Sequence, residues 1–317
     1  MALYLRESDV RALLPMEECI TVLEELFRQE AAGQAENRPR RRIRLPGGFH
    51  HLMAGAAPGF KAFGLKSYTS FRGPTTPLVL LYDLESGALS AVVEAGVLGQ
   101  VRTGAATGVA TRHMAAPDAS EVGVIGTGYQ ARAQVEAVCR VRPVRRVKAY
   151  SRTPEKREQF AARMGEALGV EVVPVASAEE CVRGSHVVIT ITSARDPVFD
   201  GAWLEPGAHV NAAGSNHWMR REVDEATIQR AALVVVDNLE QAQTECGELL
   251  WAVERGAFRW SRAVELKDVV AGRVPGRPSP EAVTLFESQG LAIEDVAAAA
   301  YVVQRARERG VGQELPL

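Results

Sequence analysis

Two short stretches carry residue types at a spacing that can do chemistry. The first is Gly126-Thr127-Gly128-Tyr129-Gln130-Ala131. Val122, Val124 and Ile125 precede it as an apolar, β-branched run, the mark of a buried parallel strand, and an amphipathic stretch bearing Val135 and Val138 follows. Strand, tight turn and helix around G-x-G-x-x-A form a dinucleotide fingerprint. Gly126 would make the turn, Gly128 would let the backbone approach a pyrophosphate, and Ala131 would let helix and strand pack closely. A pyrophosphate would then sit on free N–H groups at the positive end of the helix dipole. An ordinary βα turn can look the same; the flanking strand and helix are what favour the nucleotide.

The second stretch, Ser151-Arg152-Thr153-Pro154, follows the next strand. An NAD site would place Asp or Glu there for the ribose 2′-hydroxyl. Two hydroxyls and a guanidinium suit a 2′-phosphate instead. NADP(H) is therefore the expected cofactor, with NAD(H) possible. Thr153 can also cap a helix whose first residue is Pro154.

Further candidates lie on loops and among basic residues. Thr190-Ile191-Thr192-Ser193 and Asn211-Ala212-Ala213-Gly214-Ser215-Asn216 end two strands with small polar residues and, with Gly126–Gln130, could line the nicotinamide ribose. Lys66 interrupts the alternating run Phe63-Gly64-Leu65-Lys66-Ser67-Tyr68 and could point at a cleft. Arg102 sits among small residues in Arg102-Thr103-Gly104-Ala105-Ala106, where a long cation has little obvious structural use. Arg40, Arg42 and Arg44 alternate onto one strand face. A solvated sheet face and a snorkelling lysine are the plain alternatives.

These residues need two kinds of scaffold. Residues 40–94 predict antiparallel strands at Arg41–Leu45, His51–Gly55, Phe63–Thr69, Leu78–Asp83 and Ala88–Glu94, separated by Gly and Pro turns, in a meander. Ahead of them, Ser8 would cap a short helix, and Pro15 would open a second that Gly33 ends. Val97–Ala115 is a Gly-, Ala- and Thr-rich helix. From 121 the rhythm becomes strand and helix in alternation, with strand cores at 122–125, 144–150, 170–175, 187–191, 208–212 and 233–236. Six such strands describe a doubly wound parallel Rossmann sheet. Ala242–Val253 reads as one helix, 261–280 as loop, and Ile293–Arg309 as a final amphipathic helix. The expected domains are 1–117, an α+β substrate-binding and dimerisation domain completed by 291–317, and 118–290, the NAD(P)-binding domain.

Composition excludes other classes. With 317 residues, 46% hydrophobic and 24% charged, there is material for two globular cores. A net charge of −2 gives no general attraction to nucleic acid or an anionic membrane. No run is long enough to span a membrane and no signal-peptide pattern opens the chain, so a cytoplasmic protein is expected. Cys19, Cys139, Cys181 and Cys246 are widely spaced, and neither they nor the histidines show a metal-ligand spacing.

Taken together, these motifs resemble the ornithine cyclodeaminase/mu-crystallin family from end to end. The resemblance rests on Gly64-Leu65-Lys66, Val101-Arg102-Thr103-Gly104-Ala105-Ala106, the glycine-rich turn, Ala213-Gly214-Ser215-Asn216 with Arg221-Glu222-Val223-Asp224, Glu245-Cys246-Gly247-Glu248-Leu249, and Gly290-Leu291-Ala292-Ile293-Glu294-Asp295. It implies a homodimer and a small imino or amino acid substrate. It also implies that Arg40, Lys66 and Arg102 hold the substrate carboxylate, that Lys66 serves in proton transfer, and that Thr76 and Asn216 lie at the substrate. Thr103 belongs with the cofactor contacts. Ornithine cyclodeaminases carry an aspartate where this chain has Asn216, which can neither act as a general base nor balance an ammonium. They also carry an acidic residue in the region of Ser151-Arg152. Both departures point to the ketimine reductase branch: NADPH-dependent reduction of Δ1-pyrroline-2-carboxylate or Δ1-piperideine-2-carboxylate to proline or pipecolate. Ornithine cyclodeaminase, alanine dehydrogenase and an NADPH-dependent binding protein are the alternatives. Three clustered cations should depress the pKa of Lys66, which suits a proton donor.

Overall fold

The computed structural model of the chain describes residues 1–73 and 75–316. In chain order, β1 (Ala2–Leu5), α1 (Glu7–Leu13), α2 (Met16–Ala31), β2 (Glu36–Leu45), β3 (Gly48–Ala57), β4 (Ala62–Ser70), β5 (Leu78–Asp83) and β6 (Leu89–Glu94) lead into α3 (Gly96–Met114). Then follow β7 (Glu121–Ile125), α4 (Ala131–Val141), β8 (Arg146–Tyr150), α5 (Pro154–Leu168), β9 (Glu171–Pro174), α6 (Ala178–Val182), β10 (Val187–Thr190) and β11 (His209–Ala212). Next come α7 (Glu225–Arg230), β12 (Ala231–Val236), α8 (Leu239–Glu245), α9 (Gly247–Glu254), β13 (Ala263–Glu265), α10 (Leu266–Val270) and β14 (Val283–Glu287). Helix α11 (Ala292–Arg309) and β15 (Gln313–Leu315) close the chain. These elements form two compact units, Met1–Arg102 with Gly290–Leu317, and Thr103–Gln289. The division falls inside α3, upstream of Pro117.

The first unit is built on a seven-stranded sheet of order β15-β1-β6-β5-β4-β3-β2. β2 to β6 form the expected antiparallel meander, and β1 adds to it in parallel beside β6. β1 and β15 are too short for alternation to reveal them. Pro39 lies on the edge strand β2, where the ladder shifts register between Arg38 and Arg41. A proline has no N–H for the ladder and is tolerated at such an edge bulge. Arg40, inside that bulge, is buried, whereas Arg42 is half-buried and Arg44 exposed. The first helix begins at Glu7, with Ser8 inside it; the backbone N–H of Arg6 donates to the Asp9 carboxylate, so Ser8 is not the cap. α11 packs on α2 and on β3 and β4.

The second unit carries eight parallel strands, two more than the six expected, in the order β13-β12-β14-β11-β10-β7-β8-β9. It is a doubly wound Rossmann sheet. The additional strands are β13 and β14. β14, with all five residues buried, inserts between β12 and β11 after a proline-rich stretch that obscures it in sequence. Both faces are covered. Val188, Val210, Val234 and Leu285 belong to one apolar core, and Val122, Val124, Val187 and Ile189 to the other. The single helix expected at 242–253 is two, broken at Cys246. A Cβ at Gly247 would lie 2.1 Å from the Arg220 carbonyl oxygen, so the chain can turn there only with glycine.

Buried acids accompany that break. Glu222, Glu248 and Glu287 are almost inaccessible. Burial, with like charges nearby, pushes Glu248 up to about 7 and Glu287 well above the usual carboxylate range. A carboxyl that holds its proton more tightly when folded stabilises the fold below its unfolded pKa and loses that contribution as pH rises through its folded value. Glu248→Gln should therefore gain stability relative to wild type as pH rises from about 4.5 to about 7. Urea unfolding of both proteins across that range checks this; a difference that does not change with pH would contradict it.

Candidate active site

In the first unit, Arg40, Lys66 and Arg102 come together as buried cations, 7%, 7% and 6% exposed. Lys66 lies on the inward face of β4, opposite Met53 of β3, and the β2 bulge carrying Arg40 lies across Met53 on the other side. α3 supplies Arg102. The backbone leaves room for these long side chains. A Cβ at Gly99 would lie 2.9 Å from Lys66 Nζ. One at Gly290 would lie 2.5 Å from the Arg102 guanidinium, and Gly290 also has φ of +77°, a conformation suited to glycine. The Gly290 carbonyl accepts a hydrogen bond from Arg40 at 3.3 Å.

The cations do not stand alone. Arg102 donates to Glu294 at 2.7 Å and to Asp295 at 3.0 Å, and Lys66 donates to the same Asp295 oxygen at 2.9 Å. Arg102 thus has the structural partners that its small neighbours in sequence do not reveal. Burial lowers the Lys66 pKa to about 8; Asp295 opposes the shift, and Arg102 and Arg40 add to it. The expected direction holds, but desolvation rather than the neighbouring cations is its main cause. Asp295, although buried, is held below the usual carboxylate range by Arg102 and Lys66, whereas burial carries Glu294 above it. Glu294 and Asp295 were not among the expected site residues. In sequence, acids in the first turn of a helix read as partners of its dipole. Thr76 is exposed on the segment between β4 and β5.

In the second unit, a cavity of about 770 Å³ opens at the carboxyl ends of β7, β8 and β10, where strand order reverses. Gly126, Thr127, Gly128, Ser151, Arg152, Thr153, Thr192 and Ser193 line it, and so does Lys156. Gly126 has φ of +105°, and a Cβ there would lie 2.4 Å from the Ile191 carbonyl oxygen. At Gly128 a Cβ would meet nothing within 4 Å, so protein packing does not demand this glycine; an open cradle for a phosphate does account for it. Thr127 and Ser151 hydroxyls bond each other at 3.0 Å. Thr153 stands at the N-cap of α5, but its side chain makes no capping bond, so the cap expected of it is not formed; Pro154 is the first helical residue. The donor set fits a dinucleotide: turn N–H groups for the pyrophosphate, and Arg152, Lys156 and hydroxyls beside the second strand.

The other expected cofactor residues, Thr103, Tyr129, Gln130, Ala131, Thr190, Gly214 and Ser215, are not among the residues that line this cavity. Tyr129 is exposed, Gln130 precedes α4, and Ala131 is its fully buried first residue. The Thr103 carbonyl accepts from Gln134 at 3.1 Å. Glu222, which the sequence offers within a family motif but without a site role, ties the loops together. Its carboxylate accepts from the Thr190 hydroxyl at 3.0 Å, from the Gly214 N–H at 2.7 Å and from the Thr192 N–H. Ser215 is buried and Asn216 exposed on the loop after β11. Cys246, Glu248 and Glu287 place ligand-capable atoms within 4.8 Å of one another, but burial drives both carboxyls toward the protonated form. Among the described residues, no helix is long and apolar enough to cross a membrane.

Comparison with known proteins bears on the fold and the family. The chain is 37% identical over 272 residues, 83% of each chain, to a Δ1-pyrroline-2-carboxylate reductase of Bacillus cereus. Its structure matches that of the Thermococcus litoralis Δ1-pyrroline-2-carboxylate reductase in complex with NADH and L-proline, with a TM-score of 0.95 and 34% identity over 99% of this chain and 100% of that one. It also matches an archaeal alanine dehydrogenase dimer with bound NAD, with a TM-score of 0.94 and 34% identity over 100% of this chain and 99% of that one. The model of the ornithine cyclodeaminase/mu-crystallin family matches residues 2–310, and the chain belongs to that family.

Proposed function

We propose that this protein reduces a cyclic ketimine acid, Δ1-pyrroline-2-carboxylate or Δ1-piperideine-2-carboxylate, to proline or pipecolate, with NADPH preferred over NADH. The observation that carries this reading is the buried cluster of Arg40, Lys66 and Arg102. Arg40, Lys66 and Arg102 are buried together beside Glu294 and Asp295, and a cluster of three cations suits one substrate carboxylate. Burial strengthens such an interaction, and fixing the carboxylate orients the ring. A nicotinamide, when bound, would supply the hydride that the imine carbon takes up. Lys66 supplies the proton to the imine nitrogen, and its lowered pKa makes that proton easier to release. Arg152, Ser151, Thr153 and Lys156 hold the 2′-phosphate of NADPH, and Gly126 to Gln130 hold its pyrophosphate. The structures of relatives hold NADH or NAD, so the preference for NADPH rests on this chain's own Ser151-Arg152-Thr153 alone. The reading includes a homodimer, as for the archaeal relative, and a cytoplasmic protein, which four free cysteines support.

Initial rates with both imines and both cofactors test the reading. NADPH oxidation should be fast and should slow as pH rises through about 8, where Lys66 loses its proton. Ammonia release from ornithine without net cofactor use, or turnover of pyruvate with ammonia, would replace it with a lyase or a dehydrogenase. Arg152→Ala should raise KM for NADPH about tenfold, the loss of one charge-assisted contact, with little change for NADH. Equal effects on both cofactors would remove Arg152 from the phosphate site.

A further inference from the structure

We infer that Asp295 is the positioning residue of this site: through one carboxylate oxygen it holds the proton donor Lys66 and the carboxylate-binding Arg102 in fixed relation, and it keeps Lys66 charged in a buried setting. The inference rests on the reductase reading and gives a role in the proton transfer to a residue which that reading sets only beside the cations. Asp295 Oδ1 accepts from Lys66 Nζ at 2.9 Å and from Arg102 Nε at 3.0 Å. Its other oxygen, Oδ2, is buried without a hydrogen-bond partner. The hydrogen bonds of this side chain therefore go to the two site cations and not to the helix or the sheet. Glu294, the neighbouring acid, differs: it bonds Arg102 and the backbone N–H of Leu291, and makes no bond to Lys66.

Among the described residues, charged and titratable groups face Lys66 from several elements. Arg40 comes from β2, Arg102 from α3, and Asp295, with Glu294 beside it, from α11. Tyr68, on β4 itself, places its ring centroid 5.8 Å from Nζ. Cys19 of α2 faces Glu294, Arg102 and Asp295, and burial keeps its thiol protonated. Of these groups, only Asp295 offers Lys66 a salt bridge; burial and both arginines favour the neutral amine. The proton balance follows. The Lys66 ammonium gives one proton to the imine nitrogen as hydride reaches the carbon, becomes a neutral amine, and is recharged from solvent while Asp295 stays ionised throughout.

Asp295→Asn keeps the shape and removes the charge. The chain has five lysines, so 13Cε NMR of lysine-labelled protein resolves Lys66, assigned by its loss in Lys66→Arg. The Lys66 midpoint should fall by more than one pH unit in Asp295→Asn, and the descending limb of kcat/KM against pH should move down with it. Asp295→Glu, which restores the charge at a displaced position, should return the midpoint toward wild type while kcat stays low. Glu294→Gln should raise KM and leave the limb in place. An unchanged Lys66 midpoint in Asp295→Asn overturns the inference whatever the substrate; if that variant does not fold, an Asp295→Glu enzyme with wild-type kcat overturns it. Wild-type protein that turns over neither imine overturns the reductase reading and the donor role with it, even if the midpoint shifts as expected.

Discussion

The first unit depends on burying positive charge. A lysine and two arginines taken out of water are tolerated only if oxygen atoms replace the lost hydration. Those oxygens come from the far end of the chain: Asp295 bonds Lys66 across 229 residues of sequence, and Glu294 bonds Arg102 across 192. The first turn of α11 must therefore close on β4 and α3 for the cluster to exist at all. Truncating any one member leaves the others as uncompensated buried charge, a loss of about 3–5 kcal/mol. The network holds the fold together, so a variant such as Arg102→Ala would confound any loss of substrate binding with a loss of stability, and isosteric changes such as Asp295→Asn are the informative ones.

The second unit solves a different problem, which is to hold several loops open in one arrangement. The turn after β7 and the loops after β10 and β11 are rich in small residues and carry few apolar anchors. Glu222 supplies the constraint by collecting a hydroxyl and two backbone N–H groups from the ends of β10 and β11. Its own N–H is held at 2.7 Å by Glu248, which links the loops to the acids where the chain breaks at Cys246. The cavity is consequently shaped from behind by buried carboxyls, and its mouth is left to Arg152, Lys156 and the hydroxyls beside them.

Local features were legible in the sequence, and closure features were not. Gly126 and Gly128 stand out because a strand, a tight turn and a helix lie within a few residues of one another. Lys66 stands out because a cation breaks an alternating run, and Arg102 because its neighbours are small. Glu294 and Asp295 belong to a family motif, but nothing local gives them a site role: two acids opening a helix look like ordinary dipole partners until α11 is seated against β3 and β4. Glu222 is hidden for the same reason, since its three loop partners are brought together only by the sheet. β14 escaped because a five-residue strand after a proline-rich segment lacks the helix that marks the other crossovers. Thr153 shows the converse error, a residue with the right type and position for a helix cap whose side chain makes no such bond.

The central claim is that the buried cluster on the first unit recognises a carboxylate. Calorimetric titration of the protein with L-proline and with L-prolinamide, in the presence of NADP, tests it most directly, because the two ligands differ only in the charge of that group. The account predicts saturable binding of proline and binding of the amide at least about tenfold weaker, the scale of one charge-assisted contact. Equal affinities would contradict it and would assign the cluster of Arg40, Lys66 and Arg102 to structure alone.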